Sequence, residues 1–268
     1  DREPITADGR MIYGTFLCTD LGKYTTYSEQ TDPVNLHQLM HEYYETLFQP
    51  LRQNGGFVSD ITGDCMMGLW ASTNRQPVHR LQACETALQI DTALQDFWNS
   101  KSRDLYLPTR MGIHYGPVHL GNVGADQRYA YQATGDTVNT VARIENLNKH
   151  LGTQILVTAD VLVGFDHFLT RNLGTFLLSG KSKPVVVHEL LCSAKRASTE
   201  QLDRCARFAE GLDAYLSRAW DEAVRIFEAL ARSAHGDGPA QFYIPLCEQY
   251  LKAQPPEEWS GVVVVGKK

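Results

Sequence analysis

An α+β sandwich around a central mixed sheet, followed by a small helical segment, is the fold class this sequence predicts. Three observations predict it. Strand-like runs and amphipathic helical runs follow one another in the order strand, helix, hairpin, helix, strands, helix, strand. From about residue 198 the strand signal stops and helical periodicity continues alone. The chain has 268 residues, 43% of them hydrophobic, enough for one sizeable core and a small second domain.

Residues 1–13 read as a polar lead-in. The run GTFLCTDLGKYTTYSE (14–29) starts as an apolar strand and breaks into a polar, Gly- and Thr-rich turn at Asp20. Residues 32–56 are helical: Asp32 caps, Pro33 suits the first turn, and Leu36, Met40, Tyr43, Leu47 and Leu51 recur at helical spacing before Gly55-Gly56 ends the run. FVSDITGDCMMGLW is a hairpin with Thr62-Gly63-Asp64 at its tip. Residues 79–98 form a second amphipathic helix, with Leu81, Leu88, Leu94 and Phe97 among its apolar positions. TRMGIHYGPVHLGNVG (109–124) alternates as strands do, and 137–153 is helical with Val138, Val141, Ile144 and Leu147 inward. QILVTADVLVGF supplies a strand and a short helix, and 176–191 a closing hairpin.

In the tail, 207–234 reads as a helical pair broken near Ser217-Arg218, and a third helix ends at Pro255-Pro256. Gly211, Tyr215, Trp220, Ala223 and Phe227 are spaced like one tetratricopeptide-type unit. One such unit cannot bury its own face, so it should dock on the preceding domain or on a partner, with its aromatic residues as core.

The formal net charge of −6 at pH 7 argues against a sequence-independent nucleic-acid binder, which needs a basic face. Cys18, Cys65, Cys84, Cys192, Cys205 and Cys247 show no CxxC and no regular spacing, so a disulfide framework or zinc site is not expected and a reducing compartment fits. No apolar run reaches the roughly 18 residues of a membrane span. The chain begins at Asp1 without an initiator Met or signal peptide, and reads as a piece of something longer.

Two pairs of residues stand out chemically. Asp20 and Asp64 each lie where an apolar strand gives way to a turn. If the two strands are neighbours, the carboxylates meet at one sheet edge and repel unless a cation lies between them. Mg²⁺ suits that place because it takes carboxylates together with phosphate oxygens. Each Asp taken alone reads rather as a turn cap. Asn139 and Arg143 are four apart on one helix and share a face that is not the core face. Together they suit a ribose and a phosphoryl group, since Arg carries a planar fork of donors. Taken alone, an N-x-x-x-R spacing reads rather as a solvated helix face or an intramolecular ion pair.

In order and spacing, FLCTDLGKYTTYSE, GGFVSDITGDCMMGLW, MGIHYGPVHLGNVG and GDTVNTVARIENLNKHLGTQILVT, followed by LLSGKSKPVVVHEL, resemble the class III adenylate/guanylate cyclase catalytic domain. The C-terminal run from GLDAYLSRAWDEAVRIFEAL resembles the tail of bacterial cyclases with an extracytoplasmic CHASE2 sensor and membrane helices ahead of the catalytic part. The resemblance implies a ferredoxin-like, palm-type sandwich, with a lead-in at 1–13, a catalytic domain at 14–195 and a helical extension at 196–268. It implies a cytoplasmic catalytic region tethered to an upstream sensor or membrane part, and a head-to-tail homodimer with two shared sites. Asp20 and Asp64 match the metal-binding acids, with the Leu21 carbonyl as a further ligand for two Mg²⁺ or Mn²⁺ ions. Asn139 and Arg143 match the transition-state pair supplied by the other subunit. The reaction implied is attack of the ribose 3′-oxygen on the α-phosphorus of ATP or GTP, with pyrophosphate leaving and the ions activating the hydroxyl and neutralising the triphosphate.

Three departures from the family pattern matter. Lys23 stands at the glycine position of the D-x-x-G-F-T run and either contacts phosphate or reaches solvent. Ser179 precedes Gly180-Lys181 where a basic residue is usual, so Lys181 or Lys183 takes the triphosphate or is a plain surface lysine. Asp60 occupies the base-reading position that is lysine in adenylate and glutamate in guanylate cyclases, and Gln132 occupies the second one. Read in place, an ionised Asp60 pairs with the guanine N1 and N2 donors. With roles exchanged, Asp60 accepts from adenine N6 and Gln132 donates to N1. ATP is preferred on the resemblance of the tail, and GTP is the alternative. A degenerate nucleotide-binding or dimerisation module would have lost a metal acid or the Arg, and neither is lost. A diguanylate cyclase would carry G-G-[DE]-E-F where this chain has DITGDCM.

Overall fold

The computed structural model describes residues 9–101, 105–125, 128–234 and 236–266. The first eight residues of the predicted lead-in lie outside them. The chain divides into two compact units, 1–145 and 146–268.

The first unit is organised around β1 (Arg10–Leu21), which begins four residues earlier than the sequence suggests. It runs antiparallel to β3 (Cys65–Ser72) on one side and to β4 (Thr109–Ala125) on the other. β2 (Phe57–Thr62) forms a hairpin with β3, and β5 (Arg128–Thr134) pairs with the far half of β4. Phe16, Leu17, Cys18 and Leu21 are all buried, because β1 is covered on both faces. A strand covered in this way reads as a continuous apolar run rather than an alternating one.

The polar stretch after β1 is not only a turn, since it contains a short helix, α1 (Tyr24–Gln30). α2 (Pro33–Gln53) starts as expected: the Asp32 carboxylate accepts from the backbone N–H of Val34 at 3.0 Å and of Asn35 at 3.3 Å. Its inward stripe is Leu39, Met40, Tyr43, Leu47 and Leu51.

α3 (Pro77–Asn99) corrects one expectation. Of Leu81, Leu88, Leu94 and Phe97, only Leu94 is fully buried. The inward stripe is Ala83, Ala87, Ile90, Leu94 and Trp98, at helical spacing. Alanines carry little hydrophobic weight in a sequence pattern, yet Ala83 and Ala87 are fully buried here.

α4 (Asp136–Leu151) lies on β4. The Thr137 hydroxyl donates to the Pro117 carbonyl at 2.6 Å. A Cβ on Gly112 would stand 2.4 Å from the Glu145 backbone nitrogen, so this close approach requires glycine. Ile12, Phe16, Cys18, Leu69, Val118 and Leu120 form the core beneath Val141, with Val138 packed at its margin.

The second unit has the ladder β6 (Ile155–Thr158), β8 (Val185–Ser193), β7 (Phe168–Leu177), β9 (Val263–Val264). The β7–β8 hairpin is antiparallel, while β9 runs parallel to β7. A short helix, α5 (Ala159–Leu162), follows β6 as expected. β7 starts eight residues before the hairpin read from sequence. β9 was not among the strands expected, although Val262–Val265 is a β-branched run bounded by glycines.

Three helices complete the unit: α6 (Thr199–Leu216), α7 (Trp220–Ala231) and α8 (Gly238–Lys252). Ser198 and Gln201 form a capping box at the start of α6, and Arg218, at φ 63°, makes the break before α7. α6 and α8 dock on β7, and α7 packs on those two helices. The Tyr243 phenol donates to the Leu173 carbonyl at 2.6 Å. The buried Arg171 guanidinium pairs with Glu189 at 2.6 Å and with Asp237 at 2.5 Å, and Asp237 also caps α8 through the Ala240 N–H. Tyr215, Trp220 and Phe227 are core residues, as their spacing suggests. Among the described residues no helix is long and apolar enough to cross a membrane.

Candidate active site

Asp20 is the penultimate residue of β1, and Asp64 leads into β3. Because β1 and β3 are antiparallel neighbours, the end of one strand meets the start of the other. The Leu21 backbone N–H donates to Asp64 Oδ2 at 3.2 Å, which ties the two acidic segments together. The Leu21 side chain is buried and pins the end of β1. The structure therefore brings Asp20, Leu21 and Asp64 to one sheet edge.

Three residues that sequence reasoning missed support this edge. Arg110 lies directly across the β1–β4 ladder from Asp20 and pairs with its carboxylate. Its Nε also meets Glu145 of α4 at 3.3 Å. One guanidinium thus compensates two carboxylates in a half-buried place where uncompensated charge would be costly. The Tyr44 phenol donates to the Gly63 carbonyl at 2.5 Å and holds the hairpin tip beside Asp64. Burial, with the Asp64 charge adding to it, pushes that phenol up to about 12, so it remains a donor at neutral pH. The available signals were weak: one Arg opening an apolar strand, and one Tyr beside a buried Tyr. Each becomes meaningful only once strand register is known.

Asp60 lies opposite Met67, and the register shifts between Val58 and Asp60, leaving Ser59 as the extra residue of a bulge. Met67 in turn opposes Cys18. Asp60 is therefore on the sheet face that carries Cys18 and, two residues on, Asp20. Strict alternation from Val58 opposite Gly68 would have turned it to the other face. The exposed Asp60 carboxylate accepts from the Ile61 N–H at 2.9 Å and the Thr62 hydroxyl at 3.3 Å.

Gln132 is half-buried on β5, opposite Gly121. β5 pairs with β4 and β2 with β3, so Gln132 and Asp60 lie on strands that are not ladder neighbours. On α4, Asn139 is exposed and Arg143 half-buried, while Val141 and Ile144 are fully buried, so the predicted Asn–Arg face is distinct from the core face. Within α4 it is Glu145, through Arg110, that links to Asp20.

Lys23 precedes α1 with φ 63°, a left-handed backbone that favours glycine. It edges an open cleft of about 420 Å³ that Tyr27, Gln30 and Tyr106 also line. Among the described residues no acid lines this cleft. Lys181 belongs to the second unit, in the β7–β8 turn, where its N–H donates to the Leu178 carbonyl at 3.0 Å. Lys183 is exposed in the same turn.

Among the described residues no group of three or more His, Cys, Asp or Glu side chains is placed to hold a metal ion. The donors expected from the sequence, the Asp20 and Asp64 carboxylates and the Leu21 carbonyl, lie together at the ends of β1 and β3. These are hard oxygens that leave positions for water and phosphate, which fits Mg²⁺ or Mn²⁺ rather than a soft ion.

A family model described as the adenylate and guanylate cyclase catalytic domain matches residues 13–190. The chain is 32% identical over 196 residues to adenylate cyclase 1 of Rhizobium meliloti, an alignment covering 72% of this chain and 29% of that protein. It is 26% identical over 192 residues to a receptor-type guanylate cyclase of Caenorhabditis elegans, covering 70% of this chain and 18% of that protein. The chain thus spans less than a third of the length of these curated relatives. Its fold matches the crystal structure of the adenylyl cyclase CyaB from P. aeruginosa with a TM-score of 0.63 at 23% identity, over 71% of this chain and all of that one.

Proposed function

The chain belongs to the adenylate and guanylate cyclase catalytic-domain family, and from that premise we propose that it converts ATP to 3′,5′-cyclic AMP and pyrophosphate. The observation that supports this reading most directly is the meeting of Asp20 and Asp64 at one sheet edge, joined through the Leu21 N–H. Their carboxylates and the Leu21 carbonyl would hold two Mg²⁺ or Mn²⁺ ions. When bound, the ions supply Lewis acidity at the 3′-hydroxyl and the triphosphate.

The chain's own groups do the rest. Arg143 stabilises charge developing on the α-phosphoryl oxygens, and Asn139 orients the ribose. Lys23 and Lys181 contact the triphosphate as point charges. Asp60 accepts from adenine N6 and Gln132 donates to N1. Asn139 and Arg143 come from a second copy of the chain, so the active form is a homodimer with two shared sites. The catalytic domain spans 14–195 and the helical extension 196–268. The catalytic region is cytoplasmic and tethered to an upstream sensor or membrane part of a longer protein.

One observation favours GTP as the second reading. Asp60 is exposed, and an ionised carboxylate is an acceptor only, which suits the guanine N1 and N2 donors.

The deciding experiment is the initial rate of cAMP and cGMP formation from ATP and GTP in separate Mn²⁺ reactions, across a range of protein concentrations. Dominant cAMP, with a rate steeper than linear in protein, is expected. Dominant cGMP would establish the second reading. Neither product at high protein concentration would overturn both and leave a nucleotide-binding or dimerisation module.

A further inference from the structure

We propose that Cys18 and Cys65 form a reversible disulfide that disables the carboxylate pair beside them. The two Sγ atoms are 3.5 Å apart, although 47 residues separate them in sequence. Cys18 opposes Met67 across the β1–β3 ladder, and Cys65 lies two residues from Met67 along β3. The cysteines are therefore diagonal neighbours on one sheet face, within side-chain reach. Both are free thiols.

Their position gives the bond a consequence. Cys18 is two residues before Asp20 on the same face of β1, and Cys65 directly follows Asp64. A disulfide needs its sulfurs about 2.05 Å apart, so the pair must close by about 1.5 Å. Cys18 is 2% exposed and sits in the central strand, within the core under α4. Cys65 is partly exposed, at the end of β3 beside the hairpin tip. The movement falls on Cys65 and shifts the adjoining Asp64 from the position in which it accepts from the Leu21 N–H. A misplacement of about 1 Å in a catalytic constellation costs on the order of 100-fold in rate.

Exposure also sets the order of the chemistry. The oxidant is a two-electron oxidant of the hydroperoxide class. The Cys65 sulfur attacks one peroxide oxygen, the O–O bond breaks, and Cys65 sulfenic acid and one water result. The Cys18 sulfur then attacks the Cys65 sulfur. The S–S bond forms, the S–O bond breaks, and the Cys18 proton leaves with hydroxide as a second water. Two thiols and one hydrogen peroxide thus give one disulfide and two waters. A dithiol reductant reverses the step by exchange. A bond formed and lost in this way is compatible with a reducing compartment, where disulfides are transient and regulatory.

The loss of turnover rests on the cyclase reading, but formation of the bond does not, and the test reads the two separately. The whole chain is reduced, exposed to hydrogen peroxide near stoichiometry, and mapped by non-reducing peptide mass analysis. A Cys18–Cys65 linked peptide is expected, and it should disappear with dithiothreitol. Mn²⁺ binding by titration calorimetry should weaken on oxidation, and the Mn²⁺-dependent cyclase rate should fall on the order of 10-fold or more, both recovering on reduction. Cys65→Ser, and Cys65→Ala as a second variant, should keep the reduced rate and resist the oxidant. Oxidation at other cysteines with no 18–65 link would overturn the pairing. A mapped link with Mn²⁺ binding unchanged would overturn the switch, whether or not the chain proves to be a cyclase.

Discussion

Asp60 and Asp64 stand four residues apart, yet they differ in partners, exposure and the device that aims them. Asp64 is held by a backbone N–H at the strand edge, whereas Asp60 owes its face to one extra residue, Ser59. The proposed metal role is tested by Asp20→Ala and Asp64→Ala. Each should lower cyclase turnover by on the order of 1,000-fold or more while far-UV circular dichroism stays unchanged. Near-normal activity in either would remove that acid from the metal site. Lys23 supplies a second test at this scale. Its backbone is left-handed, a conformation that costs a residue with a Cβ about 1–2 kcal/mol, and glycine gives back part of that relief through its looser unfolded state. Lys23→Gly should therefore leave the melting temperature equal or slightly raised, and raise KM for the nucleotide several-fold if the ammonium contacts phosphate. Unchanged KM would identify Lys23 as a surface side chain.

At the scale of elements, most of the architecture was legible because its signals are local. The Asp32–Pro33 helix start, the glycine-tipped hairpin and the Val141, Ile144 and Leu147 stripe all lie where the pattern places them. What escaped detection depended on partners far away in sequence. The bulge at Ser59 exists only relative to β3, and the Arg110–Asp20 pair only once β1 and β4 are in register. The alanine stripe of α3 is inward because close packing favours small residues there. In the candidate site, turn chemistry marked Asp20 and Asp64 as acids at strand ends and the family resemblance alone pointed to Leu21, while the neighbours Arg110, Glu145 and Tyr44 left no such mark. The docking of the tail shows the same dependence, since Arg171 meets Asp237 across 66 residues. Asp237 is fully buried, and removing its charge leaves the guanidinium with Glu189 alone and α8 without its cap. Asp237→Ala should cost about 3–5 kcal/mol. Urea unfolding followed by the fluorescence of Trp220 and Trp259, both in this unit, would measure it. A loss under about 1 kcal/mol would mean that water replaces the pair.

At the scale of the whole molecule, the proposed site is divided between copies of the chain. Asp64→Ala and Arg143→Ala chains should each be inactive alone. Mixed, they should recover up to about a quarter of wild-type activity, because random pairing makes half the dimers mixed and each mixed dimer keeps one intact shared site. No recovery, with mixed dimers shown by native mass spectrometry, would place the whole site within one chain. The docking of the helical tail on β7 through α6 and α8 has a different consequence, one for descent rather than catalysis. The family match ends at residue 190, but the second unit runs on to 268, and Asp237 and Tyr243, which meet Arg171 and Leu173, lie beyond the match. A recombination event that exchanged the tail at that border would sever a buried ion pair and strand a carbonyl. Tail and strands should therefore be inherited together, and a graft from another lineage should hold only if it brings its own acid for that guanidinium.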